Sequence, residues 1–276
     1  MPVISTNTAA NSAVRYLNLN SKDESSSLSK LASGSRINQA SDDAAGLAIS
    51  TRISSDVTAL TQAATNASHG VAVLQTADGG ASNISDILQR MKTLASEASS
   101  GTVTDTERSY INAEFTQLTS EIDGTATSTR YNGKSLLDGT SSAFAGSGTS
   151  VMVGSDASDT ITVKIATLTS SALGVNSLNV SSQTGATAAL TTLDTAIDTV
   201  SKARADIGAT ESRFEFRSES ISTQQENLES ANSAIKDVDI ASEEAKLASA
   251  EVKTQAAVAA AAQANQMPQE LLKLLQ

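Results

Sequence analysis

Few side chains in this sequence are of the types that perform chemistry. Histidine occurs once, at His69, and cysteine is absent, which excludes thiol nucleophiles, disulfides and metal sites that need two imidazoles. Asp42 and Asp43 are adjacent, so on a helix their carboxylates point about 100° apart and do not converge on one ion. We expect them to stabilise the start of a helix. The sequence contains neither a Gly-x-Ser-x-Gly motif nor a glycine-rich phosphate loop, and it predicts no catalytic, cofactor-binding or metal-binding residue.

The composition favours long helices over a pocketed enzyme. Apolar residues make up 39% of the 276 residues, but aromatic residues only 3%, so apolar surface must be buried by many small contacts. The net charge of -11 disfavours nucleic acid and anionic membranes as partners. No apolar run approaches the roughly 18 residues of a membrane span, and the first residues lack the pattern of a secretory signal peptide. We therefore expect neither nucleic-acid binding nor membrane insertion.

Helical periodicity dominates two long blocks of the sequence. Apolar residues recur at steps of three and four from Ile49 to Ala98 and again from Leu190 to Val238, which is typical of a coiled coil or a helix bundle. A shorter block follows a capping box formed by Thr104 and Glu107. We expect a mainly α fold of long antiparallel helices, at about 44–99, 104–129 and 186–235, that form a coiled-coil or bundle rod.

Five residues interrupt these patterns. Gly70, Gly79 and Gly80 fall within the first long block, and we expect a local bend or the close approach of a neighbouring helix there. Arg204 and Glu211 occupy apolar positions of the second block, where we expect a locally hydrated or paired interface.

A small β patch is predicted at about 131–166. The Asn132-Gly133 pair favours a tight turn with positive φ. Residues 160–165 alternate polar and apolar side chains, which predicts a half-buried strand, and residues 151–153 are its expected hairpin partner.

The two ends of the chain are predicted to be weaker helices. The first has a polar middle from Ser21 to Ser27, and the last contains an alanine run from Ala256 to Ala262 that allows a partner backbone to come unusually close. Neither helix buries enough by itself to be stable in water, so each needs the other or further subunits.

The sequence resembles the bacterial flagellins at four places. Residues 31–49 are similar to the N-terminal flagellin signature and residues 262–275 to the C-terminal motif, while Tyr131-Asn132-Gly133 and Ser212-Arg213-Phe214-Glu215 match recurrent family positions. The resemblance covers about the first 140 and the last 90 residues. It implies a minimal flagellin, with an inner-tube domain from residues 1–42 and 236–276 and a rod domain from residues 43–235. Ser35 stands where the family usually has an apolar residue, and Ala260 and Ala261 replace bulkier ones.

The resemblance implies a structural function without catalysis. It indicates a subunit that assembles with copies of itself into the extracellular flagellar filament, used for motility and exported without a cleavable signal. The alternative is a hook–filament junction protein with the same terminal helices. The implied partners are an export chaperone, the type III export apparatus, the filament cap, the junction proteins and Toll-like receptor 5, which would bind the monomer.

The resemblance also implies three sets of functional residues. Packing of the inner tube is assigned to Ala13, Val14, Leu17, Leu28, Leu31, Val252, Leu271 and Leu274. Contact with the export chaperone is assigned to Leu247, Leu271 and Leu274. Recognition by the receptor is assigned to Leu88, Gln89, Arg90, Leu94 and Glu114.

Overall fold

The fold consists of long helices with two small hairpins. The computed structural model describes residues 7–140 and 144–274, with side chains described up to residue 267. Within these ranges the helices are α1 (Thr8–Ser33), α2 (Ala44–Ser99), α3 (Asp105–Ser128), α4 (Gln183–Lys236) and α5 (Ile240–Leu274). The strands are β1 (Arg130–Tyr131), β2 (Lys134–Ser135), β3 (Thr149–Met152) and β4 (Thr160–Val163). The expected mainly α fold is confirmed.

The chain divides into two compact units. The terminal unit comprises Met1–Ser55 and Asn227–Gln276, and the rod unit comprises Asp56–Glu226. Helices α2 and α4 each contribute residues to both units. The domain boundaries implied by the flagellin resemblance, after residue 42 and before residue 236, stay a prediction.

Local hydrogen bonds fix the ends of two helices. At the start of α1, the Asn7 side chain accepts a bond of 3.0 Å from the Ala10 amide, and the helix ends at Gly34, whose φ of 68° suits glycine. At the start of α3, the Thr104 hydroxyl accepts from the Glu107 amide while the Glu107 carboxylate accepts from the Thr104 amide. The predicted capping box is thus confirmed.

Helices α2 and α4 run antiparallel within the rod unit. Gln225 donates to Thr61, Gln75 donates to Glu211, and Lys92 pairs with Asp194, so residue numbers rise along α2 as they fall along α4. Helix α3 returns along α2 in the same way, since Arg90 contacts Glu114 and Arg108 contacts Ala98. The Arg108 side chain is only 8% exposed and donates to the carbonyls of Ala98 and Ser100, which closes the end of α2.

The rod core combines a few bulky side chains with many alanines. The largest fully buried side chains include Leu74, Leu88, Phe115, Ile122, Leu193 and Phe214. Between them lie buried alanines of α2, α3 and α4, among them Ala77, Ala81, Ala95, Ala126, Ala189 and Ala196. This mixture matches the composition, in which aromatic residues are rare and small apolar residues are common.

Gly70, Gly79 and Gly80 do not interrupt α2. A Cβ at Gly70 would lie 2.8 Å from the Phe214 ring, and a Cβ at Gly80 would lie 2.8 Å from Leu137. The expected close approach of a neighbouring helix is therefore confirmed at Gly70, whereas the neighbours of Gly80 are Thr129 and Leu137, which both lie outside the helices. Gly79 has nothing within 4 Å of the same position.

Both hairpins occur where the sequence indicated. Strands β1 and β2 join through Asn132 and Gly133, with φ of 49° and 76°, as the Asn-Gly pair predicts. Strands β3 and β4 pair antiparallel with Val151 opposite Ile161. In the described part of the chain, no helix is both long enough and apolar enough to cross a bilayer.

Candidate assembly interface

Helices α1 and α5 pack against each other along small side chains. The buried positions of α5 recur every seven residues, at Glu243, Ala250, Ala257 and Ala264, and those of α1 are Ala10 and Ser27. A seven-residue repeat keeps one face of a helix against its partner. The sequence-based assignment of inner-tube residues missed this seam, although the spacing of its alanines and Glu243 could have revealed it.

Polar contacts set the antiparallel register of the two terminal helices. The Ser27 hydroxyl donates to Glu243 at 2.8 Å, the Thr254 hydroxyl donates to Glu24 at 3.1 Å, and the side-chain Nδ2 of Asn7 donates to the Ala264 carbonyl at 2.7 Å. Positions late in α1 therefore face positions early in α5. Because these bonds join specific atoms, they oppose a sliding of one helix along the other.

Glu243 is the buried carboxylate of this seam, with a side chain only 6% exposed. Lys246 donates to one carboxylate oxygen at 2.9 Å and Ser27 donates to the other. The hydrogen bond from Lys246 lowers the pKa of Glu243 below its ordinary value; the Ser27 bond and the charges of Lys246 and Lys30 act in the same direction, and burial opposes them.

The larger apolar residues of both terminal helices face outward. Val14 is 46% exposed, Leu28 58% and Val252 65%, and Tyr16, Leu19, Ile240, Val258 and Met267 are exposed as well. Ala13, Leu17, Leu31 and Leu247 are partly exposed, and the side chains of Leu271 and Leu274 lie outside the described residues. The pair thus hides alanines and presents aliphatic side chains.

Ser35 has a satisfied polar environment inside the terminal unit. Its side chain is buried, and its hydroxyl donates to the carbonyls of Ile37 at 3.0 Å and Lys236 at 3.2 Å. The backbone of Arg36 donates to the Lys236 carbonyl at 2.6 Å. The serine therefore joins the segment after α1 to the end of α4.

The two adjacent carboxylates have separate local roles. Asp43 accepts from the Gly46 amide at 2.9 Å, so the expected role at a helix start is confirmed for it. Asp42 instead accepts from the amides of Asn38 and Gln39 at 3.1 and 3.0 Å, which closes the loop before α2. These two bonds, that from Gln39 above all, lower the pKa of Asp42.

The proposed receptor residues separate into an exposed and a buried group. Arg90 donates to one oxygen of Glu114 through Nε at 2.9 Å and Nη2 at 2.7 Å, and the two side chains are 54% and 46% exposed. Gln89 is also exposed. Leu88 is fully buried and Leu94 is 2% exposed, because both belong to the apolar stripe of α2. Of the five residues assigned to receptor recognition, Gln89, Arg90 and Glu114 are therefore accessible to a partner, whereas Leu88 and Leu94 are not.

Polar residues in the apolar stripe of α4 are paired. Arg204 donates to both oxygens of Asp78 at 2.8 and 3.2 Å, and Glu211 accepts from Gln75 at 2.8 Å. The expected paired interface is confirmed. His69 is exposed and its Nδ1 lies 3.1 Å from the Tyr131 hydroxyl, which makes it a surface residue.

The comparison with known proteins decides the family. The model of the bacterial flagellin N-terminal helical region matches residues 4–142, and that of the bacterial flagellin C-terminal helical region matches residues 190–275. The chain belongs to the flagellin family. It is 36% identical over 283 residues to the flagellar filament 30.7 kDa core protein of Treponema maltophilum, and 35% identical over 301 residues to the flagellin of Bacillus subtilis. Each alignment covers 99% of both chains.

Solved structures agree with this membership. The crystal structure of Bacillus cereus flagellin aligns with a TM-score of 0.51 at 33% identity, over 61% of this chain and 94% of that chain. A putative flagellar hook-associated protein from Vibrio parahaemolyticus aligns with a TM-score of 0.58 over 71% of this chain and all of that one, but at 15% identity. The second likeness shows the shared fold alone.

Membership of the family establishes a structural role in the flagellar filament. Flagellins are structural proteins of the extracellular flagellar filament and not enzymes, and they assemble with copies of themselves. Among the residues described between α3 and α4, two short hairpins are the only strands, which fits a minimal flagellin.

Proposed function

We propose that this flagellin polymerises through the outward aliphatic faces of α1 and α5. Two observations on the terminal unit support this proposal. Helices α1 and α5 pack against each other mainly through alanines, and aliphatic residues such as Val14, Leu28 and Val252 stay exposed. When a second copy covers exposed apolar surface of this kind, the removal of that surface from water stabilises the assembly. The residues assigned to inner-tube packing, from Ala13 to Leu274, are the proposed contacts.

Removal of residues 240–276 tests this proposal. We expect the truncated chain to keep a helical rod unit but to form no filaments when it is mixed with sheared filament seeds. A matched point variant is Val252→Asp, because it places a charge in the proposed contact, and its control is Glu251→Asp at the preceding exposed position. Electron microscopy of normal filaments from the truncated chain or from the Val252→Asp variant would overturn the proposal.

The alternative assembly is the hook–filament junction. A junction protein with the same terminal helices would form short assemblies of limited length. Concentrated pure protein distinguishes the two by electron microscopy: filaments of micrometre length support the flagellin proposal, and short particles support the junction protein.

We also propose that the monomer binds Toll-like receptor 5 at Arg90 and Glu114, next to Gln89. The support is an exposed ion pair on the rod unit that offers a planar donor group and a carboxylate side by side. Arg90→Ala should weaken receptor binding by roughly 1–3 kcal/mol, whereas Lys134→Ala at another exposed cation should not. Unchanged binding of the Arg90 variant in surface plasmon resonance would overturn this proposal.

Export is proposed to use the C-terminal end of α5. The flagellin resemblance assigns chaperone contact to Leu247, Leu271 and Leu274, delivery to the type III export apparatus, and assembly below the filament cap. Leu271→Asp combined with Leu274→Asp should weaken chaperone binding, because two carboxylates would enter an apolar groove. Calorimetry with the isolated chaperone checks this, and an unchanged affinity would rule out the site.

A further inference from the structure

The rod unit carries a protruding aromatic residue flanked by acidic side chains. Tyr110 lies on α3 and is 72% exposed. Glu107 lies three residues before Tyr110 and Glu114 lies four residues after it. This spacing places all three side chains on one face of the helix. We call this group the Tyr110 knob. Glu107 and Glu114 each use one oxygen in bonds within the chain, so each carboxylate retains a second oxygen for a partner.

A shallow depression elsewhere on the rod unit is lined by cationic and apolar side chains, and could thus accept an aromatic residue flanked by carboxylates. It has a volume of about 390 Å³ and lies between α4 and the β3–β4 hairpin. Its lining combines apolar and cationic side chains, and we call it the Phe216 socket: Val153, Thr160, Ile161, Arg213, Phe216, Arg217 and Ser220.

The socket offers an unused cation and an exposed ring. Arg217 is already held by Asp159 at 2.6 Å and by the Val153 carbonyl at 3.1 Å. Arg213 makes no ion pair or hydrogen bond with any residue that the structure describes. Phe216 is 71% exposed. Tyr110 and Phe216 are the only aromatic side chains of this exposure among the described residues of the rod unit.

A knob cannot reach the socket of its own chain. Glu114 lies opposite Arg90 on α2, and Phe214, two residues before Phe216, lies against Gly70. Twenty residues of helix separate Arg90 from Gly70, or about 30 Å at 1.5 Å per residue. Two different, complementary patches that are this far apart on one subunit can join only between copies, and such a head-to-tail contact produces an open helical filament where its rotation does not close into a ring.

We propose that the Tyr110 knob of one copy docks into the Phe216 socket of the next copy in the filament. Tyr110 packs on Phe216 and Ile161, while Arg213 pairs with the carboxylates beside Tyr110. This contact rests on the proposed polymerisation, but it is made by the rod unit and not by the terminal helices.

Seeded growth is the first test. Wild-type monomer and four variants are added to sheared wild-type filaments, and elongation is followed by turbidity and electron microscopy. Tyr110→Ala and Arg213→Glu should elongate at least tenfold more slowly at unchanged helix content, because both side chains are exposed. The controls Lys202→Ala and Lys134→Glu alter exposed cations elsewhere on the rod unit, and they should elongate at the wild-type rate.

Crosslinking is the deciding test, since the chain contains no cysteine. Ala113→Cys and Thr160→Cys, introduced together, place exposed thiols beside the knob and at the rim of the socket. A short bismaleimide should link filaments of this variant into a ladder on a denaturing gel and leave the monomer unlinked. Filaments without a ladder, or normal elongation of both knob and socket variants, overturn the contact alone. Absence of wild-type elongation overturns the proposed polymerisation and the contact with it.

Discussion

At the scale of single residues, the terminal unit contains one buried carboxylate among small side chains. The pKa of Glu243 in the folded chain lies below its ordinary value of 4.5. The ionised carboxylate therefore stabilises the α1–α5 pair above about pH 4.5 and loses this effect as the pH falls through the folded pKa. Acidification should loosen the pair because protonated Glu243 accepts a weaker hydrogen bond from Ser27 and no longer attracts Lys30, and both of these residues lie on α1.

Glu243→Gln tests this dependence on pH. At pH 6 the variant should unfold more readily than the wild type, and the difference should be smaller at pH 3, because the contribution of the carboxylate declines below its ordinary pKa of 4.5 and is lost as the pH falls through the lower folded pKa. Thermal unfolding of the free chain, followed by circular dichroism, measures both. Glu244→Gln is the control, because Glu244 is exposed on the same helix. An equal difference at the two pH values would contradict the assignment.

The sequence predicted the role of a residue best where only one kind of contact could satisfy its side chain. Arg204 had to find an opposite charge in an apolar stripe, and Asp78 supplies it. Apolar residues on a terminal helix are ambiguous, since Val252 at helical spacing fits a partner helix or another subunit equally well. The structure exposes Val252 and buries Ala250 instead, because alanine lets the two backbones approach closely.

At the scale of elements, α2 is a single helix that carries glycines in two different environments. Gly70 meets the buried Phe214 ring, where a Cβ would come within 2.8 Å, whereas Gly79 faces open space. Periodicity alone predicted the helix through these positions, because the apolar steps continue on both sides of them. Periodicity could not show which glycine has room for a side chain, since that depends on which side chain of a neighbouring element faces each glycine.

Two alanine substitutions should therefore have opposite effects. Gly79→Ala should raise the free energy of unfolding by about 1 kcal/mol, from helix propensity alone. Gly70→Ala should lower it by about 1–3 kcal/mol, because the added methyl group overpacks against Phe214. Urea unfolding followed by circular dichroism gives both values under the same conditions. A stabilising Gly70→Ala would show that the Phe214 ring shifts without cost.

At the scale of the whole molecule, the two units rely on cores of different quality. The rod unit buries Phe115, Phe214 and several leucines completely, whereas the fully and nearly buried apolar residues of the terminal unit are mostly alanines. Burial stabilises in proportion to the apolar area removed from water, so the alanine seam gains much less per residue. The composition indicated small contacts throughout, but only the fold shows how unevenly the bulky side chains are distributed between the units.

This difference predicts that the free chain opens in two steps. Amide hydrogens around Ala257 in α5 should exchange on the order of 100-fold faster than those around Leu88 in α2, because α1 and α5 separate while the rod unit stays folded. Hydrogen exchange read by mass spectrometry measures both segments in one sample. Filaments provide the matched comparison: if other copies cover the outward faces of α1 and α5, protection around Ala257 should rise to approach that of Leu88. Equal exchange of the two segments in the free chain would mean that the alanine seam is as stable as the rod core, and assembly would then have no loose terminal pair to fix in place.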